Sequence, residues 1–305
     1  MDLNNDRGIF IVTVLRTILV KLMYSDVYDI VDQNMSDSNV GSRKRRNHRN
    51  NLYIVYAIIN NVLNNPDSKP IDLQIYDIAK MFDKIKLKEA INDFWDSGIK
   101  DDNLMLLYQL NKNNKAIVKT PVGDSEEIVL EENVLQGESF GPLLASNQLD
   151  TIGKESKKDG ENLYMFQGKV PISVLEMVDD TLGISECGVE SIVLNSVINT
   201  KVEMKNLEFG NNDKKASKCH HIHIGKSNKY CPTLKAHETT INKVDSDTYV
   251  GDVISSDGKL TKTIAKRYSQ ATGATSEIMN MLREISFGYH YFKMSMIFRN
   301  LKFIN

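Results

Sequence analysis

Three aspartates are placed where carboxylates could hold metal ions. Asp77 closes an alternating run, and the adjacent pair Asp179-Asp180 follows 102 positions later, between short apolar segments. Neighbouring carboxylates repel each other. Beside Val174, Leu175, Val178 and Leu182 they are unfavourable unless a cation neutralises them. Magnesium suits this donor set, because it is a hard ion that binds carboxylate oxygens and keeps waters or phosphates as its other ligands. Two such ions about 3.5–4 Å apart can clamp the attacking and leaving oxygens of a phosphoryl transfer. Taken alone, Asp179-Asp180 also reads as an ordinary turn, since Asp favours turns.

The surrounding pattern supplies the elements that would position these residues. Ile71, Leu73 and Ile75 alternate with polar residues, which predicts a strand ending near Asp77. Residues 170–178 and 181–184 predict a hairpin with the two carboxylates at its tip. Helical spacing covers 7–31 (Ile11, Val14, Leu15, Ile18, Leu19, Leu22), 52–63, 85–95, 101–110, about 189–202 and much of 258–302. Residues 115–134 predict a hairpin turning at Gly123-Asp124. The segment from Gly137 to about Ile152 becomes helical, and the charged stretch 153–162 reads as a surface loop. Short strands are expected near Glu208 and over Cys219–Ile224. Helices and strands interleave without strict βαβ alternation. The expected class is therefore α+β, with helices on one face of a mainly antiparallel sheet.

The chain has 305 residues, 41% hydrophobic and 26% charged, with a net charge of −2. This is an ordinary globular composition, and the total charge does not decide for or against a nucleic-acid partner. Three cysteines, Cys187, Cys219 and Cys231, give no disulfide framework. The apolar stretch from Gly8 to Val20 is too short for a span, which needs roughly 20 residues. It follows an acidic start, unlike a signal peptide. The expectation is an intracellular protein, nuclear or cytoplasmic, neither secreted nor membrane-bound, with this stretch as a buried helix.

The motifs in order resemble those of reverse transcriptases. Tyr76-Asp77-Ile78-Ala79-Lys80-Met81-Phe82-Asp83 looks like the first catalytic motif, and Val134 to Leu144, with Gln136-Gly137 and Gly141-Pro142-Leu143, like the second. Glu176-Met177-Val178-Asp179-Asp180 resembles the third, and Phe209 to Lys218-Cys219 the fourth. Arg7-Gly8-Ile9 and Val40-Gly41-Ser42-Arg43 resemble two finger motifs. Phe82-Asp83 and Gly251-Asp252-Val253-Ile254-Ser255 through Gly258-Lys259 are similar to the non-LTR (LINE-like) retrotransposon branch. The resemblance covers about residues 7–225 well and the remainder weakly. Met177 departs from it, since the family has an aromatic residue there. Glu138, an acid beside the expected nucleotide pocket, has no physical account.

The resemblance implies a right-hand polymerase fold. Fingers would come from residues 1–70 with pieces of 84–135, a palm from 71–225, and a connection with a partial helical thumb from 226–305. It implies an RNA-directed DNA polymerase using two Mg2+ ions, with Mn2+ as a substitute, and binding an RNA template, a DNA primer and deoxynucleoside triphosphates. Asp77 and Asp179 would bridge the ions and Asp180 would support one. Lys218 would protonate the departing pyrophosphate. Phe82 would lie under the sugar, and Gln136 and Gly137 would line the nucleotide pocket. Arg43 would hold the triphosphate through bidentate contacts. Lys44, Arg45, Arg46 and Arg49 would meet template phosphates, and Met177 would lie at the primer end. A basic run of this kind also reads as a solvated face or a nuclear-import signal.

Cys219, His220, His221, His223 and Cys231 invite a zinc reading, but their spacing does not match the paired knuckles of common structural sites. Two other readings compete with a LINE-like polymerase. One is a group II intron-type or telomerase-like enzyme. The other is an inert or domesticated remnant that binds RNA without copying it, which the absence of an endonuclease or further domains would suit.

Overall fold

The protein is described from a computed structural model that covers residues 11–120, 123–130, 139–158, 164–210, 217–226 and 232–284. Helices α1 (Val14–Asn34) and α2 (His48–Asn64) precede strand β1 (Ile71–Asp77). Helices α3 (Met81–Lys84), α4 (Leu87–Asp96) and α5 (Asp101–Asn111) follow, then four short strands, β2 (Asn114–Ala116), β3 (Lys119–Thr120), β4 (Gly123–Asp124) and β5 (Ile128–Leu130). Helix α6 (Phe140–Lys158) leads to β6 (Tyr164–Phe166), β7 (Val170–Ile172), β8 (Val174–Met177), β9 (Asp180–Glu186) and helix α7 (Val189–Met204). The rest comprises β10 (His220–Ile224), β11 (Lys235–Ala236), β12 (Thr239–Thr240), β13 (Asn242–Lys243), β14 (Ser246–Tyr249), β15 (Asp252–Ser255) and α8 (Thr261–Glu284).

The central sheet has five strands in the order β13-β10-β1-β9-β8. β1 lies between β9 and β10 and is antiparallel to both; only β13 joins in parallel. On one face, Ile71, Leu73 and Ile75 meet Leu182, Ile184, Ile222 and Ile224, and helix α2 covers them with Leu52, Val55, Ile58, Ile59 and Val62. Fully burying each such side chain contributes about 1.5–3 kcal/mol. On the other face lie α6 and α7, with Leu143, Leu144, Leu194 and Ile198 in the second core. The sheet is thus mainly antiparallel, as expected, but helices cover both faces and not one. Alternation along β1 did not show this, because its polar positions are buried too.

Those polar positions are matched by hydrogen bonds, as burial requires. Gln74 Nε2 donates to the Ser191 carbonyl (2.9 Å) and Tyr76 OH donates to Gln74 Oε1 (2.6 Å). Asn195 Nδ2 donates to Tyr76 OH (2.7 Å) and to the Lys235 carbonyl (2.9 Å). This chain locks α7 onto β1.

The β14–β15 hairpin braces β8. Buried Tyr249 donates to the Leu175 carbonyl (3.1 Å) and accepts from Asn51 Nδ2 (3.2 Å), and burial raises its phenol pKa. Tyr249→Phe removes both of these hydrogen bonds, while Asn51 Nδ2 keeps its bond to the Glu176 carbonyl (3.2 Å). It should lower stability by about 1–2 kcal/mol, read as a shift of the urea midpoint at unchanged slope.

Several sequence expectations change. Helix α6 runs to Lys158, so the segment expected as a loop from 153 is helical over its first part, and Lys154 pairs with buried Asp150 one turn earlier (2.7 Å). Gly123-Asp124 forms the strand β4, paired with β3, and not a turn. In α1 the buried residues are Val20, Met23, Val27, Tyr28 and Val31. The stripe Ile11, Val14, Leu15, Ile18, Leu19 and Leu22 is exposed, so this stretch is not a buried helix. Apolar residues lie on more than one face of α1, and the helix meets the core from Val20 onward. The residues near Glu208 form a single bridge between Ile78 and Phe209 and no strand. No helix among the described residues is long and apolar enough to cross a membrane.

Candidate active site

β1 ends at Asp77 and β9 starts at Asp180, and the two residues pair directly across the ladder. Directly opposed residues have Cα atoms about 4.5–5.5 Å apart. Both side chains are exposed at the sheet end, and Asp179 is half-buried in the turn beside them. The three carboxylates do not all lie within 4.8 Å of one another. Like charge favours that separation. Oxygen donors in this arrangement suit a hard divalent cation.

The hairpin turn is strained and supported. Val178 has φ +56°, a left-handed conformation that a β-branched residue rarely adopts. Such strain costs roughly 1–3 kcal/mol and persists where neighbours fix it. The neighbours here are residues 38–41. Val40 N–H donates to the Glu176 carbonyl (3.0 Å), and Glu176 N–H to the Ser38 carbonyl (3.0 Å). Gly41 is pressed so close that a Cβ there would lie 2.6 Å from Val178 N and 2.5 Å from Ser146 Oγ. The finger-motif glycine is therefore a support for the Asp179 turn.

The fourth-motif segment packs on Asp77. Ala79 N–H donates to the Glu208 carbonyl (2.8 Å), Gly210 N–H to the Asp77 carbonyl (2.8 Å), and Lys218 N–H to the Gly210 carbonyl (2.9 Å). A Cβ on Gly210 would fall 1.9 Å from Asp77 Oδ2 and 3.2 Å from Lys218 Cδ. The Asp77 carboxylate and the exposed Lys218 chain thus converge over Gly210. Phe209 stacks on Tyr76 with ring centroids 5.4 Å apart. Buried Cys219 points its thiol at the Asp77 carbonyl (3.9 Å), and burial pushes its pKa up to about 11. At pH 8 this thiol stays protonated. Mass mapping after iodoacetamide treatment should find Cys219 unlabelled in the native protein and labelled in urea.

The other expected site residues divide. Phe82, on α3 just past Asp77, is half-buried against the core. Met177 is half-buried at the end of β8. Gln136 and Gly137 lie outside the described residues. Lys44, Arg45 and Arg49 are exposed; Lys44 stacks over Tyr28 (4.2 Å), and Arg46 pairs with Asp37 (2.8 Å). Arg43 does not have the geometry of a phosphate clamp. It is buried, with Nε on Asp32 Oδ1 (2.6 Å), Nη1 on the Ser36 (2.7 Å) and Asn39 (3.1 Å) carbonyls and Nη2 on the Asp32 carbonyl (2.8 Å). Four of its five N–H donors are engaged in tying the end of α1 to the segment beneath the hairpin. The sequence reading missed Gly210. Its only signal was a glycine within the fourth-motif span.

No protein-family model matches the chain, and no curated protein matches it in sequence. Solved structures do. A Candida tropicalis telomerase in complex with a fragment of telomeric RNA superposes with a TM-score of 0.53 at 12% identity, over 82% of this chain and 37% of the other. A Candida albicans telomerase complex gives 0.49 at 11%, over 82% and 38%, and an apo Candida tropicalis telomerase truncated from its C-terminal domain gives 0.48 at 15%, over 81% and 44%. The chain has a reverse-transcriptase-like polymerase fold. It spans less than half the length of these neighbours.

Proposed function

We propose that the protein is an RNA-directed DNA polymerase of the non-LTR retrotransposon type, extending a DNA primer on an RNA template inside the cell. The observation that carries this reading is the direct pairing of Asp77 with Asp180 beside Asp179, on a reverse-transcriptase-like fold. Residues 71–225 form the palm, residues 1–70 with pieces of 84–135 the fingers, and 226–305 a connection and partial thumb. The binding of telomeric RNA by a structural neighbour supports an RNA partner.

Asp77, Asp179 and Asp180 would hold two Mg2+ ions, which when bound activate the primer 3′-hydroxyl and neutralise charge on the departing pyrophosphate. The chain's own residues do the rest. Gly210 leaves room for the Asp77 carboxylate, and residues 38–41 hold the Asp179 turn. Lys218, whose chain passes over Gly210, would give a proton to the leaving group. Phe82, five residues past Asp77, would lie under the incoming sugar, as the motif resemblance implies. Exposed Lys44, Arg45 and Arg49 are available to phosphates, whose contacts position a nucleic acid without reading sequence. Base choice comes from template pairing.

The test supplies a labelled primer on an RNA or a DNA template with deoxynucleotides, and measures RNA binding in parallel. The reading requires extension on the RNA template. RNA binding with no extension on either template would replace it with the remnant reading.

A further inference from the structure

The face of the sheet beneath α7 carries a second cluster of metal-binding side chains, far from Asp77. Asp72 near the start of β1, Cys187 just after β9 and His223 on β10 place ligand atoms all within 4.8 Å of one another. Asp72 and Asp77 are five residues apart on one strand, about 16 Å. We propose that Asp72, Cys187 and His223 bind one zinc-class divalent ion that fastens the β9–α7 corner to β1 and β10.

The sheet register builds the cluster. Asp72 pairs with Ser185 on one side and with His223 on the other. Cys187 lies two residues past Ser185, held by its N–H on the Pro70 carbonyl (3.0 Å). His223 Nδ1 lies 2.9 Å from Asp72 Oδ1, a separation two donors on one ion can take. A cluster of hydrogen bonds alone is a weaker account. Asp72 and His221 are buried, yet Asp72 Oδ2 and His221 Nε2 make no hydrogen bond of normal geometry among the described residues, although His221 Nε2 sits 2.9 Å from Asp72 Oδ1. Buried polar atoms without partners are uncommon.

The donor types select the ion. A thiolate, an imidazole and a carboxylate suit zinc, whereas magnesium prefers oxygen alone. Cys187 is half-buried, which gives an ion a way in. The zinc reading drawn from Cys219 and Cys231 does not hold in that form. Cys219 faces Asp77, and Cys231 lies outside the described residues.

The test uses the full chain, stripped with a chelator and titrated with Zn2+ or Co2+. One Zn2+ per chain is expected by elemental analysis, with a sulfur-to-cobalt charge-transfer band for Co2+ and a melting temperature raised by Zn2+. Cys187→Ser, at a half-buried position tolerant of serine, should remove the band and weaken Zn2+ binding at least tenfold. His223→Ala should do the same wherever circular dichroism shows it folded. Cys219→Ser and Asp77→Asn should change neither. No stoichiometric Zn2+, or Zn2+ and the cobalt band retained in Cys187→Ser, would overturn the proposal.

Discussion

Gly210→Ala should slow templated extension on the order of 100-fold while the protein stays folded. The new methyl would sit 1.9 Å from Asp77 Oδ2 and 2.9 Å from its Cγ, distances no packed atoms tolerate. Gly210 does not occupy the left-handed region, so alanine meets no backbone penalty there. The clash is relieved most cheaply by moving Asp77, an exposed side chain. A displacement of about 1 Å in a group that positions reacting atoms costs on the order of 100-fold in rate. Stability should change little, because no core contact is lost. Primer-extension rates set beside a thermal melt read both quantities. A fully active Gly210→Ala protein would show that the Asp77 carboxylate has no need of its place.

Arg43→Ala should destabilise the protein by about 3 kcal/mol. Removing one partner of a buried ion pair typically costs 3–5 kcal/mol, and the lower end applies because the Asp32 side chain is 32% exposed. The substitution also leaves the Ser36 and Asn39 carbonyls without a strong donor, in the segment that carries residues 38–41 to the Asp179 turn. The denaturant midpoint should fall, and the activity of protein that remains folded should fall with it. The opposite pattern, unchanged stability with a raised KM for deoxynucleotides, would restore the phosphate-clamp role that the motif resemblance implied.

The strand Ile71–Asp77 and the Asp179-Asp180 hairpin were legible because alternation and a turn signal agree there. Their pairing was not, since register between segments a hundred residues apart leaves no local trace. The same blindness hid the Asp72 cluster: Cys187 joins Asp72 and His223 only because β1 lies between β9 and β10. Arg43 was misread because a motif position carries a residue type and no direction, and here the guanidinium turns towards Asp32. In α1, helical spacing identified a helix but picked the exposed stripe, because tertiary packing decides which of several apolar faces is buried. Residues 153–158 read as a loop because a charged run suits a loop as well as the end of a helix.

On the proposed function, the Asp77, Asp179 and Asp180 carboxylates drive RNA-templated DNA synthesis. Primer extension on an RNA template with Mg2+, comparing the native protein with Asp179→Asn, tests it most directly. Extension by the native protein and none by the variant, with equal thermal stability, is the predicted result. Equal extension by both would contradict it.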